Sequence, residues 1–136
     1  MKYLTEAIGT KKPLVIDADA LNLLAQAPLT NANWILTPHP GEAARLLNCS
    51  TVDIQQDRFA SVSALQNKYK GIVILKGSGT LIASENECAV STTGNPGMAS
   101  GGMGDLLTGI IAGFVAQGLT LKEASQQGVY GHGQAA

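Results

Sequence analysis

A chain of 136 residues with 45% hydrophobic and 14% charged side chains is long enough for one domain that buries roughly two thirds of its unfolded surface, and too apolar to stay disordered. Nine basic against ten acidic residues leave a net charge of −1, which argues against nucleic acid or an anionic membrane as the main partner. "MKYLTEAIGT" holds no signal-peptide core, the longest apolar run (Leu106 to Ala116) reaches about half a bilayer span, and Cys49 and Cys88 match no metal spacing. A cytoplasmic chain with reduced thiols is expected.

The elements follow in order. A helix-like opening feeds "PLVI" (13–16), a short apolar run that reads as a buried strand, and "ALNLLAQA" (20–27) reads as a helix. "WIL" (34–36) is the next strand and "GEAARLLN" (41–48) the next helix. A third helix is expected over roughly 52–69, where Phe59, Val62, Leu65 and Tyr69 recur as one apolar stripe. "GIVIL" (71–75), "TLIAS" (80–84) and "CAVS" (88–91) are strands, the last two joined by the polar "ENE", and helices are expected over 105–117 and from 121 onward. Strands separated by helices imply a parallel-rich sheet with helices on its faces. The alternation looks unfinished, so residues 1–136 are expected to form a partial domain.

Ligands of open α/β sheets bind outside the carboxyl ends of the strands, and four polar clusters fall there. In "DADALN", Asp17 and Asp19 alternate, so one should face the crevice while the other caps the next helix. In "TPHPGE", His39 stands between two prolines, with Glu42 near the helix start, and no third metal ligand follows at a sensible spacing. "KGSGT" places Lys76 and Thr80 around a tight turn, suited either to phosphate or ribose oxygens or to a plain hairpin. "GNPGMASGGMGD" sets five glycines ahead of Asp105. Consecutive N–H groups running into a helix N-terminus make an anion hole; the alternative is a flexible loop with Asp105 merely capping the helix. Gly109 and Gly113 are expected to let a neighbour pack closely, and His132 to be structural. Ser–His–Asp hydrolysis is not supported, because no G-x-S-x-G elbow occurs.

"VIDADALNLL", "WILTPHPGEAARLL", "VILKGSGTLIA" and "TGNPGMASGGMGDLLTGIIAGFVAQG" together resemble the ADP/ATP-dependent NAD(P)H-hydrate dehydratases. The resemblance implies a ribokinase-like three-layer α/β fold, a mostly parallel sheet flanked by helices and incomplete at both ends. It implies loss of water from the 6S hydrate of NADH or NADPH, driven by ADP or ATP with Mg2+. Carried over by position, Lys76, Gly77, Ser78, Gly79 and Thr80 would bind the nucleotide, with Asn95, Pro96, Gly97, Met98, Ala99, Ser100, Gly101, Gly102, Met103 and Gly104. His39, Pro40, Gly41, Glu42, Ala43, Ala44, Arg45 and Asp105 would contact the hydrated nicotinamide nucleotide, Asp105 as the catalytic residue. Family members extend beyond both ends of this chain, and the full-length protein is expected to be a homo-oligomer. Two other readings stay open: a small-molecule kinase of the same fold, and a nucleotide-binding module without catalysis.

Overall fold

The computed structural model describes residues 6, 8–10, 12–77, 79–85, 87–91 and 101–135, the side chains of 91, 101–106 and 131–135 excepted. Five strands form one sheet in sequence order: β1 (Leu14–Ile16), β2 (Trp34–Leu36), β3 (Ile72–Leu75), β4 (Thr80–Ser84) and β5 (Glu87–Ser91). β1 pairs with β2 and β2 with β3 in parallel, whereas β3–β4 and β4–β5 are antiparallel. The central strands β2 and β3 are apolar on both faces, as strands covered on both sides require. Trp34, Leu36, Val73, Leu75, Leu81 and Ala83 enter one core, and Ile35, Ile72, Ile74 and Ile82 enter the other.

The first core is closed by α1 (Asp19–Gln26), α2 (Pro40–Leu47), α3 (Thr51–Gln56) and α4 (Arg58–Tyr69), and the second by α5 (Gly101–Ala116) and α6 (Leu121–Ala135). The three-layer α/β arrangement is therefore the one expected. The parallel β1, β2 and β3 all end at the same edge of the sheet, where their following loops gather.

Three local expectations need correction. The single helix expected over 52–69 is broken at Asp57, which ends α3 and caps α4 by accepting the Ala60 N–H at 3.0 Å. A side chain able to cap competes with helix continuation. Phe59 is exposed, whereas Val62, Leu65 and Tyr69 are fully buried; at about 100° per residue it lies to one side of the stripe that Ser61 and Gln66 complete. The helix expected from 105 begins at Gly101, so Gly101, Gly102, Met103 and Gly104 form its first turn and Asp105 sits inside the helix. First-turn N–H groups have no intrahelical acceptor, which makes this the cheapest place in a helix for glycine.

Close backbone approach decides two glycines. Gly71 turns the chain from α4 into β3 at φ +68, and a side chain there would strike the Trp34 carbonyl oxygen. Gly128 on α6 faces buried Ile111 on α5, whose Cγ1 would stand 2.5 Å from an added Cβ. Gly109 and Gly113 do not serve close packing among the described residues, for an added methyl on either meets nothing within 4 Å. Gly128→Ala should therefore destabilise the fold by about 1–3 kcal/mol through overpacking. Gly109→Ala should stabilise it by about 0.5–1 kcal/mol, because alanine loses less entropy in a helix. Urea unfolding of both variants checks the pair, and equal effects would refute the assigned packing.

Candidate active site

Three strand ends converge through one carboxylate. β1 stops at Ile16, so Asp17 emerges at its carboxyl end with a side chain only 13% exposed. Its Oδ2 accepts the Thr108 hydroxyl of α5 at 2.7 Å, and its Oδ1 stands 3.5 Å from Nζ of Lys76, the first residue past β3. Thr37, buried at the end of β2, brings its Oγ1 to 3.5 Å from that of Thr108 and 3.4 Å from the Ile16 carbonyl. The Lys76 N–H donates to the Pro38 carbonyl at 3.0 Å, fastening the β3 end to the β2 end. Burial alone would raise the Asp17 pKa. The Thr108 hydroxyl, the Lys76 ammonium, the Ala18 N–H and the Thr37 hydroxyl outweigh it and hold the carboxyl below its ordinary value of 3.8. The result is a partly buried, ionised Asp–Lys pair with hydroxyl donors, at the edge where an α/β sheet binds ligands.

Asp17 thus points into the cluster of Thr108 and Lys76 at the strand ends. Asp19 does not cap: the chain leaves β1 through Ala18 at φ 48, which takes the N-cap position without a side-chain bond. That turn carries Asp19 one residue into α1, where its charge still suits the helix N-terminus.

The next helix, α2, is capped by His39. Its Nδ1 accepts the Glu42 N–H at 3.2 Å and its own N–H donates to Glu42 Oε1 at 3.0 Å, a reciprocal capping box with Pro40 at the first helical position. Gly41 leaves room for the ring, since an added Cβ would come 3.0 Å from His39 Cε1. Ala43 and Ala44 are core residues. Glu42 is buried in the cap, which leaves His39 and Arg45 as the exposed side chains of this segment. Arg45 reaches back to α1, donating to Asn22 Oδ1 at 3.1 Å.

The "KGSGT" turn joins β3 to β4, with Gly79 at φ +75 and the Thr80 hydroxyl donating to the Gly77 carbonyl at 3.3 Å. Ser78, Asn95, Pro96, Gly97, Met98, Ala99 and Ser100 lie outside the described residues, as do the side chains of Met103, Asp105 and His132. For Gly101 to Asp105 the helical backbone is described, and α5 reaches the strand ends through Thr108, one turn beyond Asp105.

Sequence reasoning missed Thr37, Thr108 and Arg58. Thr108 carries a faint signal as the lone hydroxyl in "LLTGIIAGFVA". Cys49 and Cys88 are free and exposed. Among the described residues no three His, Cys, Asp or Glu side chains converge on a metal position, and no helix is long and apolar enough to cross a membrane.

Comparison with known proteins places these features in context. A family model described as NAD(P)H-hydrate dehydratase matches residues 1–136. The bifunctional NAD(P)H-hydrate repair enzyme Nnr of Coxiella burnetii is 54% identical over 98% of this chain, which spans 28% of that protein. The ADP-dependent (S)-NAD(P)H-hydrate dehydratase of Neisseria meningitidis is 46% identical over 93% of the chain, which spans 45% of it. Among solved structures, the ADP/ATP-dependent NAD(P)H-hydrate dehydratase of Bacillus subtilis, co-crystallised with ATP and Mg2+ and soaked with CoA, superposes with a TM-score of 0.79. It is 35% identical, over 89% of this chain and 45% of that one. The chain thus spans less than half the length of each of these relatives.

The depressed Asp17 pKa has a consequence for stability. A carboxylate held below its ordinary value stabilises the fold above that value, and the contribution is lost as pH falls through the folded pKa. Asp17→Asn should therefore lower the melting temperature at neutral pH, and its deficit against wild type should shrink on acidification below 3.8. Melting curves from neutral pH into acid check this; a deficit that does not change with pH would remove the charge from the argument.

Proposed function

The chain belongs to the NAD(P)H-hydrate dehydratase family, and from that premise we propose that the protein uses ADP or ATP to dehydrate the 6S hydrate of NADH or NADPH. The observation that carries the reading is the family match over residues 1–136. The cluster of Asp17, Thr37, Lys76 and Thr108 at one sheet edge supports it. In this reading residues 1–136 are part of a larger domain, and the adenine nucleotide occupies the segments Lys76 to Thr80 and Asn95 to Gly104. The hydrated nicotinamide nucleotide lies against His39 to Arg45 and Asp105.

Hydroxide is a poor leaving group, and phosphorylation makes it a good one. The substrate hydroxyl attacks the terminal phosphoryl group while the Asp105 carboxylate accepts its proton, so the shortened nucleotide departs. The ring nitrogen's electron pair then expels inorganic phosphate, and loss of a proton from the adjacent carbon restores the double bond. First-turn N–H groups of α5 and the Lys76 ammonium are suited to the phosphate charge. Magnesium supplies further neutralisation of the phosphates. Such an ion would need only one or two protein carboxylates beside phosphate oxygens and water, and Asp17 could serve only by giving up its Lys76 or Thr108 partner.

Asp105→Asn tests the chemistry. Asparagine is nearly isosteric with aspartate and has a similar helix propensity, so the helix should persist while the base is lost. Turnover of hydrated NADH should fall at least about a hundredfold. The rise in melting temperature with ADP should survive, since a ligand at ~100 times its Kd stabilises by about 2.7 kcal/mol. Wild-type turnover in the variant would dismiss Asp105 as base, and a stable phosphorylated product from wild type would indicate a kinase instead.

His39 separates capping from substrate contact. His39→Ala should cost about 1 kcal/mol through loss of the cap, whereas His39→Ser should restore most of it. If the ring also meets substrate, His39→Ser should raise KM for the hydrate despite normal stability; an unchanged KM would confine His39 to the cap.

A further inference from the structure

The β3–β4 turn is held from outside the sheet. Arg58, the first residue of α4, donates through Nη1 to the Gly79 carbonyl at 2.8 Å, and its Nη2 stands 3.4 Å from the carbonyl oxygens of both Leu75 and Lys76. One planar cation thereby gathers carbonyls from both sides of the turn, a geometry that the guanidinium fork provides and a lysine ammonium does not. Gly77 makes the approach feasible: an added Cβ would lie 2.9 Å from Nη2 and 3.4 Å from Cζ. The break at Asp57 matters here too, because it starts a new helix with Arg58 at its first position.

From this arrangement we infer that Arg58 is a positioning residue for the adenine nucleotide, an inference that rests on the reading of Lys76 to Thr80 as a nucleotide-binding segment. In a trans peptide the C=O and the following N–H point in opposite directions. Carbonyls of Lys76 and Gly79 that face Arg58 therefore turn the N–H groups of Gly77 and Thr80 away from it. The guanidinium contacts no ligand itself; it presets the turn so that nucleotide binding need not order it, and preorganisation of this kind appears as affinity.

The test uses the full-length protein and ADP titration calorimetry well below the melting temperature. Arg58→Met should raise the Kd for ADP about tenfold, the scale of a lost charged hydrogen bond, and leave KM for hydrated NADH unchanged at saturating ADP. Arg58→Lys keeps the charge without the fork and should fall between wild type and Arg58→Met; it carries the test if the methionine variant fails to fold. Wild-type ADP affinity in either variant overturns the inference, as does an equal loss for both substrates, which would mark general unfolding. Lys76→Ala keeps the two readings apart. If it weakens ADP binding and the Arg58 variants do not, only the positioning role falls. If none of these variants changes ADP affinity, the nucleotide-binding reading of the turn falls with it.

Discussion

The Asp17 carboxylate is the constraint on which this end of the molecule depends. Its two oxygens reach a helix on one face of the sheet, through Thr108, and the end of β3, through Lys76. A charge withdrawn this far from water is tolerated only when paired and hydrogen-bonded, so each partner holds the others to their places. Removing Thr108 would leave the carboxylate short of a donor; removing Lys76 would leave it short of a countercharge. Apolar packing between layers does not prescribe direction, and these directional bonds fix the orientation of α5 against the strand ends.

Around that anchor, polar groups do structural work that solvent would otherwise undo. Trp34 donates its indole N–H to the Tyr69 carbonyl at 3.0 Å, and the Tyr69 hydroxyl donates to the Leu46 carbonyl at 2.7 Å. Two large aromatics can therefore be fully buried without orphaning their polar atoms. Together they join β2, the end of α4 and the end of α2. Arg58 extends the same principle to the β3–β4 turn.

The layers and strands were legible because their signal is local. "WIL" and "IVIL" are short apolar runs between turn residues, and the structure keeps them as β2 and β3. The candidate site was legible by position along the chain: Asp17, His39 and Lys76 were each singled out as following a strand. Their partners were not, because partnership is tertiary. Thr108 lies 91 residues from Asp17, and nothing in "DRFAS" announces that Arg58 meets a turn about twenty residues later. The helix limits failed for a different reason. Glycine's intrinsic reluctance argued for a loop through Gly104, yet α5 begins at Gly101, and a weak propensity yields to packing such as that of Leu107 and Ile111.

The reciprocal cap on α2 also determines which hydrogen an imidazole carries. Since Nδ1 of His39 accepts the Glu42 N–H, the neutral ring must bear its proton on Nε2. That nitrogen is accordingly a donor, standing 3.6 Å from Glu42 Oε1 on a half-exposed ring. It matches a carbonyl, phosphate or ribose oxygen and disfavours a ligand that offers only another N–H. A histidine held in this tautomer is a selective contact, and the selection is made by a helix cap before any ligand arrives.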